Sequence, residues 1–127
     1  MRMGAIVLDA FNPDELADFY SKLLGWTKEV QNTDEGNWIV VKSNKGEGLP
    51  LVFQYEPDYE PPQWPTEKGR QQQMQHLDFY LELCELDNQV KYALECGATL
   101  VEVQPSENWK VLLDPAGHPF CLIPIPE

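Results

Sequence analysis

Tyr20 and Gly25 recur as Tyr92 and Gly97, each shifted by 72 residues (from 20 to 92 and from 25 to 97). Both pairs sit at the end of a stretch with helical apolar spacing. Stacked-repeat proteins have much shorter periods, so this offset predicts two copies of one module and not an array. A chain of 127 residues is long enough for one compact domain with a real core.

The residues around the first pair define what each copy contains. Met3 to Asp9 reads as a strand. Asn12 suits a helix N-cap, Pro13 the first helical position and Glu15 the third. Leu16, Phe19, Tyr20, Leu23 and Leu24 then fall on one helix face, and Gly25 stops the helix. Trp26–Gln31, Trp38–Lys42 and Leu49–Glu56 read as three strands separated by polar turns. Residues 57–73 form a long connection with four prolines and three consecutive glutamines. Long connections in compact domains are often lids or binding segments. The pattern then restarts. Met74–Leu83 is a strand, Val90, Ala93 and Leu94 mark a short helix stopped by Gly97, and Ala98–Val103 and Asn108–Leu113 are strands. The turn Asp114–Pro119 leads into a last strand, Phe120–Ile125, whose end Pro124 and Pro126 fray. The expected class is therefore α+β, one domain over 1–127, with module one at 1–56, a linker at 57–73 and module two at 74–127.

Charge removes whole classes of partner. The formal net charge of −12 opposes binding to phosphate backbones and anionic lipid, so neither nucleic acid nor a membrane is expected. The sequence has no bilayer-length apolar run and no signal peptide at its start, which predicts a cytoplasmic protein. Three cysteines, Cys84, Cys96 and Cys121, are an odd number without a CxxC spacing, as expected for reduced thiols.

The stretch Gln75-His76-Leu77-Asp78-Phe79 carries the clearest chemistry. Strand periodicity puts Leu77, Phe79, Leu81 and Leu83 on one face and His76, Asp78, Tyr80 and Glu82 on the other. The first face suits packing on a helix. The second is too polar for a dry core and faces water or a wet cavity. A catalytic metal wants about three protein ligands, and the other histidine, His118, lies inside the turn Asp114–Pro119, where it reads as a turn residue. Asp114 precedes a proline and is expected to tie its own turn. Asp9 and Asp78 are candidates to hold a proton or orient His76.

GAIVLDAFNPDELADFYSKLLGW, QHLDF and VLLDPAGHPFCLIP, in this order, resemble the vicinal oxygen chelate superfamily, and more narrowly its glyoxalase-like branch, over essentially the whole chain. The resemblance implies two βαβββ modules with flanking helices whose mixed β-sheets curl into a cup. It also implies a homodimer and a metal bound from the first and last strands of each module. Carried onto this chain, those ligand positions fall on Ala5, near Gln54, on His76 and on Cys121. Only His76 keeps a family ligand type. Alanine has no donor, and His, Gln and Cys together are an unusual set, so no metal cofactor is expected.

The resulting expectation is a small-molecule-binding protein whose ligand meets Gln54, Trp64, His76, Asp78, Trp109 and Cys121. Trp38, Trp64 and Trp109, with Tyr55, Tyr59 and Tyr80, offer flat surfaces for a planar or amphipathic molecule; Trp38 and Trp109 also suit a strand core. One alternative is a metal-dependent lyase, isomerase or dioxygenase. A second makes His76 and Cys121 catalytic, a base and a thiol nucleophile.

Overall fold

Residues 1–125 are described by the structure, a computed structural model. The chain divides into two compact units, 1–59 and 60 onward. Pro126, expected to help fray the last strand, lies outside the described residues.

In the first unit the helix signals act as written. Helix α1 (Pro13–Leu24) starts where Asn12 Oδ1 accepts the Glu15 N–H at 3.2 Å, and it ends at Gly25, whose φ of 68° an L side chain would resist. Strands β1 (Ile6–Ala10), β2 (Thr27–Thr33), β3 (Gly36–Lys42) and β4 (Leu51–Tyr55) form one sheet in the order β1-β4-β3-β2. β1 and β4 are parallel and the other pairs antiparallel. α1 packs on β3 and β4 with Leu16, Ala17, Phe19 and Tyr20 buried. The Tyr20 ring stacks on Phe53 at 5.9 Å, and Phe19 meets Tyr20 edge-on at 4.9 Å. Burying each such side chain contributes roughly 1.5–3 kcal/mol. Leu23 and Leu24 are only half-buried, so the buried stripe runs through Ala17 instead. β1 begins at Ile6, later than expected, and leaves Met3 exposed.

The second unit repeats this topology. Strand β5 (Leu77–Glu82) is followed by a 3₁₀ turn, helix α2 (Leu86–Cys96), β6 (Thr99–Leu100), β7 (Lys110–Leu113) and β8 (Pro119–Ile125). The order β5-β8-β7-β6, with β5 parallel to β8, matches that of the first unit strand for strand. Phe79 and Phe120 meet edge-on at 5.9 Å on the helix side of the sheet. Leu83 is not a strand residue: it opens the 3₁₀ turn and is exposed.

The strand expected at 98–103 shrinks to two residues. Its place beside β7 is taken by a side chain. Gln104 Nε2 donates to the carbonyls of Val101 and Val111, each at 2.9 Å, and Gln104 Oε1 accepts the Val111 N–H at 2.9 Å. The Val101 N–H still reaches the Val111 carbonyl at 3.5 Å, and the carboxamide supplies the acceptor that a longer β6 would have given the Val111 N–H.

Residues 60–73 contain no helix or strand but have their own bonds, including Gln63 N–H to the Gln71 carbonyl at 2.8 Å. Pro61 lies so close to the Asp114–Pro119 turn that a Cβ on Gly117 would sit 3.0 Å from the Pro61 Cβ. Gly117 also has a φ of 89°, so both space and conformation require glycine there. Asp114 is buried and ties this turn, its Oδ1 accepting the N–H groups of Ala116 and His118 at 3.0 Å each.

Candidate functional site

β5 alternates in burial, with Leu77, Phe79 and Leu81 half-buried and Asp78, Tyr80 and Glu82 exposed. His76 stands immediately before it. The parallel register pairs Asp78 with Cys121 on β8, and β7 places Val111 opposite Cys121. Cross-strand partners share a sheet face, so Asp78, Cys121 and Val111 lie together on the face away from α2.

Three groups meet there. His76 Nε2 lies 3.2 Å from Asp78 Oδ1, both side chains about 40% exposed, and Cys121 is buried beside them at 5%. One ligating atom from each of the three lies within 4.8 Å of the other two. On the other side of the imidazole, Gln73 Nε2 stands 3.2 Å from Nδ1. With the amide donating to Nδ1, the neutral ring carries its proton on Nε2 and gives it to Asp78. Burial, then the Asp78 charge and its hydrogen bond, push the Cys121 thiol up to about 11. The thiol is therefore protonated at neutral pH, the opposite of what a thiol nucleophile requires.

The remaining expected residues fall elsewhere. Trp64 and Trp109 belong to the second unit and are half-buried. The Trp64 indole N–H is buried and has no acceptor among the described residues. Trp109 lies two residues before Val111, just outside β7. Gln54 belongs to the first unit, exposed on β4 opposite Asp9 of β1. Register also revises the position near Gln54. In the first unit the pair matching Asp78–Cys121 is Val7–Val52, so valine occupies the place that Cys121 takes in the second.

Ala5 and Val52 have no donor, and Gln54 offers only a neutral amide. At the four family positions only His76 keeps a family ligand type, so these residues are a poor match to the family's four-ligand group for an oxygen-preferring divalent ion.

Sequence reasoning missed Gln73, although its place three residues before His76 was in view. It also missed the repetition of Trp38 as Trp109. Both tryptophans stand two residues before the strand residue (Val40 or Val111) that faces Val52 or Cys121.

Two four-stranded sheets of identical order, each with a parallel outer pair and one helix, define the fold of the vicinal oxygen chelate superfamily. Within it the chain belongs to the glyoxalase-like domain family, which matches residues 5–123. Similar solved structures include an integron cassette protein from the mobile metagenome of the Halifax Harbour sewage outfall, with 17% identity, coverage of 98% of each chain and a TM-score of 0.67. TnmS3, an antibiotic binding protein from Streptomyces sp. CB03234, has 15% identity, a TM-score of 0.63, and coverage of 99% of this chain and 97% of that one. A mutant of the fosfomycin resistance protein FosX from Listeria monocytogenes, complexed with Mn(II) and 1S,2S-dihydroxypropylphosphonic acid, has 12% identity, a TM-score of 0.69, and coverage of 96% and 88%. No curated protein matches the chain. At these identities the structural likeness establishes the fold alone.

Proposed function

We propose that the protein binds a small organic molecule, planar or amphipathic and bearing a hydrogen-bond acceptor, without the oxygen-preferring divalent ion of its metal-dependent relatives. The observation that carries this reading is the Trp64 indole N–H, buried with no acceptor among the described residues. Leaving such a donor unsatisfied costs roughly 1–3 kcal/mol, which an acceptor on a bound molecule would recover. The flat indole ring adds apolar contact area. His76 and Asp78 supply further hydrogen bonds from an exposed strand face, with Trp109 and Cys121 of the same unit as additional contacts. The same fold is found in TnmS3, an antibiotic binding protein.

The same reading includes a homodimer and a cytoplasmic location, both taken from the resemblance. Among the described residues, no helix is long and apolar enough to cross a membrane.

A thermal-shift screen of aromatic and cationic small molecules tests the proposal. A ligand that prefers the native state raises the melting temperature. The expected hits lose most of their shift in Trp64→Phe, which keeps an aromatic ring and removes the N–H. Hits that keep their full shift in both Trp64→Phe and His76→Gln would sink the reading.

A further inference from the structure

The face of β5 turned away from α2 carries negative charge beside an exposed aromatic ring. Resting on the binding role proposed above, we infer that the bound molecule is an amine, its ammonium group held by the Asp78 carboxylate and the Tyr80 ring.

Asp78 has acceptor capacity to spare. An ionised carboxylate offers about four acceptor sites. The His76 imidazole uses one, at 3.2 Å, and the Cys121 thiol donates to another. Neither donor is a permanent cation. No lysine or arginine among the described residues pairs with Asp78. Lys110 stands opposite Leu122, on the helix side of the sheet, and so points away from this face.

The neighbours of Asp78 complete a cation site. Tyr80, the next residue on this face, is 68% exposed, and Glu82 beyond it is exposed as well. Strand alternation spaces the three at steps of about 6.5–7 Å, in the order carboxylate, ring, carboxylate. A cation over the Tyr80 ring, within about 6 Å of its centre, gains a cation–π contact and stands between the two carboxylates. Tyr80 pairs with Ile123 of β8, and the Lys110–Leu122 ladder continued by one residue brings Trp109 level with Ile123. A second aromatic residue therefore lies two strands from Tyr80, roughly 9–10 Å away. An anion placed there would meet Asp78 and Glu82 without a counter-charge. With the acceptor that the Trp64 N–H calls for, the ligand is an amine that also carries a hydrogen-bond acceptor.

Tyramine and 4-propylphenol test the charge. They share a phenol, with its acceptor oxygen, and differ only in an ammonium group against a methyl. Both affinities are read from ¹H–¹⁵N spectra of the full chain. Tyramine should bind about tenfold more tightly or better, with shifts at the Asp78 and Tyr80 amides. Added salt should weaken tyramine and leave 4-propylphenol unchanged. Asp78→Asn, at an exposed position, should bring tyramine within about twofold of 4-propylphenol. Tyr80→Leu should weaken tyramine about threefold. Glu95→Gln removes an equal charge from α2 and should change neither compound. The inference falls if tyramine binds no better than 4-propylphenol, or if Asp78→Asn behaves like Glu95→Gln. Equal binding of the two compounds at the second unit would remove the charge preference and leave small-molecule binding standing. No shift from either compound or from any member of the thermal-shift screen would remove both.

Discussion

The two units share a strand order and differ where chemistry is possible. Val7 and Val52 face each other across the parallel pair of the first, with Ala5 just before the strand. Asp78 and Cys121 take those places in the second, with His76 before the strand. One backbone pattern thus carries an apolar trio in one copy and a polar trio in the other. Topology positions these residues in both copies, but only the second has donors and acceptors to use there. The family fold therefore does not by itself bring the family's chemistry with it.

The helices differ in the same way. Tyr20 is fully buried against Phe53, whereas its repeat partner Tyr92 is 40% exposed on α2. α1 has an Asn12 cap, and α2 has no side-chain cap. The first unit is built more tightly around its helix, and the second retains the polar strand face.

The contrast can be broken outright. His76→Ala/Asp78→Val/Cys121→Val, which rewrites the second trio as the first, should remove most of the thermal shift given by the small-molecule hits while the far-ultraviolet circular dichroism is kept. Among stability effects, Tyr20→Ala should be the largest, costing about 3–5 kcal/mol in urea unfolding. The equivalent Tyr92→Ala should cost about 1 kcal/mol or less, since it is half in water. Gln104→Ala removes three hydrogen bonds, two of them to Val111 of β7, and should cost about 2 kcal/mol, with faster amide exchange at Val111. Asn12→Ala should cost about 1 kcal/mol through the lost cap.

The pH dependence of Cys121 sharpens the comparison further. Folding raises its pKa from 9.0 to about 11, so the folded chain holds that proton more tightly than the unfolded one. The resulting stabilisation is complete below pH 9.0 and is lost as pH rises through about 11. Cys121→Ala should flatten that part of the stability curve. At pH 8 iodoacetamide should modify exposed Cys84 well before Cys121. Asp78→Asn removes the neighbouring charge and should lower the Cys121 pKa and speed its alkylation.

Much of this was legible in the sequence because it rests on local rules. Asn12, Pro13 and Gly25 bound α1, and the alternation from Leu77 to Glu82 sorts β5 into two faces. What was not legible depends on register or on distant partners. Nothing local says that Asp78 sits opposite Cys121, or that Val52 and not Gln54 takes the matching place. The strand expected at 98–103 failed because one side chain, Gln104, satisfies the β7 backbone there. The orphan N–H of Trp64 is invisible until burial is known. His76 and Cys121 were both singled out from sequence, but the burial and the Asp78 charge that together raise the thiol pKa emerged only from the fold.

The central claim is that small-molecule binding is a property of the second unit. Two-dimensional ¹H–¹⁵N spectra recorded with the strongest thermal-shift hit test it directly. The account predicts shifts at the Trp64 indole N–H and at the amides of His76, Asp78 and Cys121, with Val7 and Val52 undisturbed. Shifts concentrated at Val7, Val52 and Gln54, with the Trp64 indole unmoved, would contradict it.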